Sequence, residues 1–168
     1  MEECYENYPA GTICLSAALT ILSYALGALI FYMMSGMLGA GYIILCIVSL
    51  LVAMRYRCVY CYYYGKGCYT GLGIISKLFF KKGDSKEFKN PKNLIPAMIF
   101  SFAALLLPLI AGIYLLVTGF SLSILALFAA YMLVAVIPGF VLRKDLFCKH
   151  CKQGKLGCPA YEGMKGKR

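Results

Sequence analysis

The sequence holds no tryptophan, a single histidine (His150) and only seven acidic residues. One histidine excludes bis-histidine haem ligation within one chain, and neither a Ser-His-Asp set nor paired carboxylates for hydrolysis can be assembled. Charge of either sign is missing from residues 7–54 and again from residues 93–142. Polar groups inside these stretches are hydroxyls such as Ser16, Thr20, Ser23, Ser49 and Ser101, and tyrosines such as Tyr24 and Tyr131. Ion and proton pumps normally carry intramembrane charge, so this pattern argues against one.

What is present is apolar. Of 168 residues, 61% are hydrophobic and the mean hydropathy is +0.76. Such a composition excludes a disordered tail, a soluble nucleic-acid-binding domain and a small secreted disulfide scaffold, and indicates a membrane protein. A bilayer core about 30 Å thick is crossed by roughly 20 helical residues, so each charge-free block is too long for one span and fits a hairpin of two. Turn signals at Ser35-Gly36 and Thr118-Gly119-Phe120-Ser121 divide the blocks. The expected fold is all-α: a polytopic membrane protein with transmembrane helices near 13–34, 37–54, 94–117 and 122–142, arranged as two tandem hairpins.

Four spans put the N-terminus, the 55–93 loop and the C-terminal tail on one side. All 17 basic residues then share that side, which the positive-inside rule makes cytoplasmic. The expected location is the cytoplasmic (plasma) membrane, multi-pass, with both termini cytoplasmic. Glu2, Glu3 and Glu6 replace the basic n-region of a secretory signal, so the first hydrophobic stretch is expected to remain as a helix. The net charge of +10 is accounted for by topology and by contact with anionic lipid head groups; no nucleic-acid motif accompanies it, and no nucleic-acid partner is expected. Leu72 to Lys82 reads as a short basic amphipathic helix on the membrane surface.

Six of the nine cysteines form two copies of one spacing, Cys58-x2-Cys61-x6-Cys68 and Cys148-x2-Cys151-x6-Cys158, each third cysteine preceded by glycine. One such triplet is expected by chance about 0.03 times in a chain of this cysteine content, so two independent copies would arise roughly once in a thousand. The chain therefore reads as a duplication: N-terminus 1–12, first repeat 13–68, basic amphipathic linker 69–93, second repeat 94–158, basic tail 159–168. Both repeats enter from the same side, making a parallel internal repeat that brings the two cysteine loops together over the cytoplasmic face.

Cys-x-x-Cys turns let two thiolates converge on one ion, with glycine just beyond them (Gly65, Gly154) admitting backbone N–H groups to the sulfurs. Cys58, Cys61, Cys148 and Cys151 could make one tetrahedral zinc site joining the halves, with Cys68 and Cys158 as supporting or additional ligands; alternatively each half holds its own ion through three sulfurs and a fourth ligand, for which Cys4 and His150 are candidates. The alternative is an iron-sulfur cluster, for which Cys158-Pro159 is a weak sign and the x2, x6 spacing an unusual one. The expected role is a structural or sensory metal site presenting a basic surface to a cytoplasmic protein partner. Alternatives are a redox protein, either iron-sulfur or thiol oxidoreductase, and a soft-metal carrier. Cys14 and Cys46 fall inside helices as small hydrophobes. The six tyrosines around the first motif (Tyr56, Tyr60, Tyr62, Tyr63, Tyr64, Tyr69) are expected to form an interfacial aromatic belt. In outline, the cysteine-rich loop between helices 2 and 3 resembles the DHHC palmitoyltransferases, but the Asp-His-His-Cys signature is absent. Four-helix thiol oxidases of the DsbB and vitamin K epoxide reductase kind carry their oxidising cysteines on the opposite side.

Overall fold

Apolar, charge-free sequence becomes long helix. In a computed structural model that describes residues 4–136, 147–159 and 161, three helices are long and apolar enough to cross a membrane: α1 (Ala10–Met34), α2 (Gly36–Tyr56) and α4 (Pro91–Thr118). At about 1.5 Å per residue they measure roughly 37, 31 and 42 Å, enough to span a hydrocarbon core of about 30 Å. A short helix, α3 (Leu72–Phe79), lies in the loop between α2 and α4. Where a fourth span is expected, near 122–142, the described residues form a shorter apolar helix, α5 (Leu122–Tyr131), continued by a π-helical turn over Met132–Val136; residues 137–142 lie outside the described residues. The described regular structure is helical, apart from one isolated parallel bridge between Tyr5 and Cys151.

The element ends follow local chemistry. Ser35 alone, in extended conformation, separates α1 from α2. Asn90 caps α4 by accepting from the Lys92 N–H, and Pro91 fills the first helical position, where its missing donor costs nothing. The helix therefore begins at Pro91, before the expected start near 94. Gly119 ends it, as the turn signal requires.

Helix α1 packs on α2, α4 and α5, and α2 packs on α4. Ile30, Ala111 and Tyr131 form the buried centre. Gly27 lets α2 approach: a Cβ there would lie 2.7 Å from the Tyr42 hydroxyl. Pro108, inside α4 and fully buried, lacks the N–H that would bond the Ala104 carbonyl four residues back. That carbonyl instead accepts from the Tyr42 hydroxyl at 2.8 Å, and the neighbouring Leu105 carbonyl accepts from Tyr131 at 2.8 Å. Two tyrosines from α2 and α5 thus satisfy backbone groups at a proline position, as the interior of a bilayer demands. The outward faces carry exposed Ile21, Met37, Ile44, Ile110 and Val117, a surface suited to lipid rather than water.

Candidate metal centre

The loop that follows α2 turns immediately. A 3₁₀ turn over Cys58–Tyr60 places the Cys61 N–H on the Cys58 carbonyl at 3.2 Å. In the second copy the Cys151 N–H bonds the Cys148 carbonyl at the same 3.2 Å. The two Cys-x-x-Cys segments therefore fold alike, as their matching spacing predicts.

The copies meet. The Tyr62 N–H donates to Gln153 Oε1 at 2.7 Å, and the Lys152 N–H donates to the Tyr63 hydroxyl at 3.1 Å. Cys61 and Cys151 both pack against the buried cluster of Tyr8, Tyr63 and Cys68. Burial pushes the Cys58 and Cys61 thiols up to about 12. Neighbouring Cys68 and Cys61 add to the rise at Cys58, and Cys151 and Cys68 add to it at Cys61, where the Tyr63 N–H opposes it. Burial raises Cys151 as well, with Cys158 contributing and the Gly154 and Gln153 N–H groups opposing. Cys58, Cys61, Cys68, Cys151 and Cys158 thus form a chain of thiols that feel one another across both copies. Burial raises the Tyr8 and Tyr63 phenols, with Cys148 adding to the rise at Tyr8 and Cys4 to that at Tyr63. The His150 ring lies against Tyr5 in a tilted contact, with centroids 5.0 Å apart.

N–H groups do approach sulfur, though not always from the expected glycine. In the second copy the Gly154 N–H, which donates to the Cys151 carbonyl at 3.0 Å, also tempers the rise of the Cys151 thiol, whereas Tyr63 rather than Gly65 tempers Cys61 in the first. Cys68 receives the Gly73 N–H at 3.2 Å and lies 3.2 Å from the Thr70 hydroxyl. Gly73 has to be glycine, because a Cβ there would lie 2.3 Å from the Tyr63 carbonyl oxygen. This close fit docks α3 onto the cysteine loop. Gly65 and Gly71, with φ of +74° and +75°, turn the chain between the motif and α3.

The expected aromatic belt is not what the central tyrosines form. Tyr63 is 2% exposed, and its hydroxyl donates to the Tyr5 carbonyl at 2.7 Å. Tyr64 donates to the Phe80 carbonyl, and Tyr69 stacks on Phe147. The Tyr63 and Tyr64 hydroxyls have partners inside the protein, and Tyr63 and Tyr69 pack in the cluster that holds Cys61, Cys68 and Cys151.

The N-terminal segment crosses both copies, a role invisible in its sequence. The Tyr5 N–H bonds the His150 carbonyl at 3.1 Å, the Tyr8 N–H bonds the Gly67 carbonyl at 2.9 Å, and the Tyr8 hydroxyl reaches the Phe147 carbonyl at 2.5 Å. Asn7 accepts from the Gly67 N–H at 3.1 Å. Glu6 is held well below its ordinary range, at about 2, by hydrogen bonds from Lys152, then Tyr62, with Lys66 adding. Arg57 was also not singled out by sequence reasoning. Its Nη2 lies 3.9 Å from the Cys158 Sγ and its guanidinium stacks 4.3 Å above Phe88.

Among the described residues, no three His, Cys, Asp or Glu side chains already converge on one point as metal ligands. The thiols are neighbours rather than a finished coordination shell. Comparisons of the chain with protein-family models, with curated proteins and with solved structures gave no match.

Proposed function

We propose that the chain is an integral membrane metal-binding protein. Two tandem hairpins, four spans in all, carry the duplicated cysteine motifs to one shared site on the cytoplasmic side. The ion is zinc, in a structural or sensory role, held by thiols drawn from Cys58, Cys61, Cys68, Cys148, Cys151 and Cys158. The observation that carries this reading is the meeting of the two copies, with Cys61 and Cys151 packed against one buried cluster and joined through Tyr62 and Gln153. Soft thiols, backbone N–H groups directed at sulfur and a wall of aromatic rings are the chemistry of a thiolate–metal site.

The surroundings support a membrane-facing, basic module. The outer side of α3 exposes Ile74, Ile75, Leu78 and Phe79, with Lys77, Lys81 and Lys82 beside them, while its inner side buries Gly73 and Ser76. An apolar row flanked by lysines suits the anionic head-group region of the bilayer. The remaining basic surface is left for a cytoplasmic protein.

A second reading, an iron-sulfur electron-transfer centre, is favoured by one observation: Cys61, Cys68 and Cys151 pack with buried Tyr8 and Tyr63, rings that would shield a cluster from water. Elemental analysis with a visible spectrum of anaerobically purified, detergent-solubilised protein separates the two. Stoichiometric zinc without colour supports the first reading. Iron with acid-labile sulfide and broad visible absorbance supports the second, and neither element would remove both.

A further inference from the structure

Arg57 occupies an unusual position for a juxtamembrane arginine. It follows the last turn of α2 and directly precedes Cys58, yet its guanidinium does not extend into water. One face covers the buried Phe88 ring at 4.3 Å. Nη2 points to the Sγ of Cys158, the last cysteine of the other copy, 101 residues away, at 3.9 Å. Nη1 is buried and has no hydrogen-bond partner among the described residues. Leaving a charged donor buried and unpaired is costly. The repeat offers no counterpart, since the position preceding Cys148 is Phe147.

Such a cation makes sense beside a group that becomes negative. Its field already favours the charged forms of Cys58 and Cys61. Four thiolates on one divalent ion leave a net negative centre, which a buried site must balance with N–H donors or a cation. A guanidinium suits the task because it stays charged, is weakly hydrated and offers several donors in a fixed plane.

We propose that Arg57 is the counter-ion of an anionic thiolate centre, reaching from the first copy to Cys158 of the second and holding Nη1 for sulfur that gains charge when the metal is bound. The inference rests on the metal-site reading above. Arg57 acts here as a positioning and charge-balancing residue, not as a ligand.

The test compares wild type with Arg57→Lys and Arg57→Met, each as the full chain in detergent. Zinc affinity is measured by competition with a chromophoric chelator, and the helicity of the metal-free forms by circular dichroism. Methionine keeps an apolar stem over Phe88 but removes the charge; lysine keeps the charge. The expected result is a loss of about 10–100-fold in affinity for Arg57→Met, substantial recovery in Arg57→Lys, and equal helicity throughout. Equal zinc affinity in wild type and Arg57→Met would overturn the counter-ion role while leaving the metal site standing. Equal losses in both variants would overturn it in favour of a purely geometric role. Absence of stoichiometric zinc binding by wild type would overturn both readings together.

Discussion

The Tyr42 hydroxyl lies 2.8 Å from the carbonyl oxygen of Ala104, the backbone acceptor that Pro108 deprives of its partner in α4. Helix α2 therefore completes the hydrogen bonding of α4, and the two helices are joined by more than apolar packing. Tyr42→Phe should destabilise the protein by about 1 kcal/mol, because the orphaned carbonyl is buried where water cannot replace the hydroxyl. Pro108→Ala restores an N–H donor for Ala104. The loss caused by Tyr42→Phe should therefore shrink in the Pro108→Ala background, a coupling readable from thermal unfolding in a double-mutant cycle. Strict additivity would show that the two residues act independently.

Gly73 supports the cysteine site through space rather than chemistry. A Cβ at this position would lie 2.3 Å from the Tyr63 carbonyl oxygen and 2.7 Å from that of Lys66, and neither backbone atom can swing aside. Gly73→Ala should force α3 off the loop, withdraw the N–H from Cys68 and cost about 1–3 kcal/mol. Gly41→Ala, whose Cβ meets nothing within 4 Å, is the control. Comparable thermal unfolding of the two variants would refute the docking of α3.

Helix positions were legible because hydropathy is a local property. The stretches expected at 13–34, 37–54 and 94–117 appear as Ala10–Met34, Gly36–Tyr56 and Pro91–Thr118, with ends shifted by caps such as Asn90. The six motif cysteines were legible from their repeated spacing. Their neighbours were not, since these come from residues remote in sequence. Nothing near Tyr5 or Tyr8 signals that their backbone bonds His150 and Gly67. Nothing near Arg57 signals Cys158. The tyrosines were misjudged for a related reason: composition places an aromatic at an interface, but only the fold shows that the Tyr63 hydroxyl has Tyr5 and Lys152 as partners.

Acid should loosen the N-terminal segment. Glu6 titrates at about 2 in the folded protein, against an ordinary 4.5, because Lys152, Tyr62 and Lys66 surround its carboxylate. A lowered folded value means that the carboxylate's contribution is fully present above about 4.5 and is lost as pH falls through about 2. The group is fully exposed, so the effect is modest and weakened by salt. Unfolding of metal-free protein followed across this window should show Glu6→Gln less stable than wild type near neutrality, with the gap closing toward the acid end. A gap independent of pH would exclude the ion pairs as its cause.

The repeated spacing makes the sharpest demand on the cysteines. If each copy held its own ion, Cys58→Ser would lower metal content by one copy's share and leave the second copy's ion in place. In the shared site that we propose, Cys58→Ser and Cys148→Ser weaken the same centre, since Cys61 and Cys151 flank one buried cluster. Either substitution should then reduce bound metal to a similar degree and lower thermal stability alike, and the double variant should lose little beyond the single ones. Coupling is expected because ligands of one ion share its binding free energy. Additive losses, measured as metal per chain in the three variants, would divide the site in two. Unchanged metal content in all three would remove these cysteines from the ligand set.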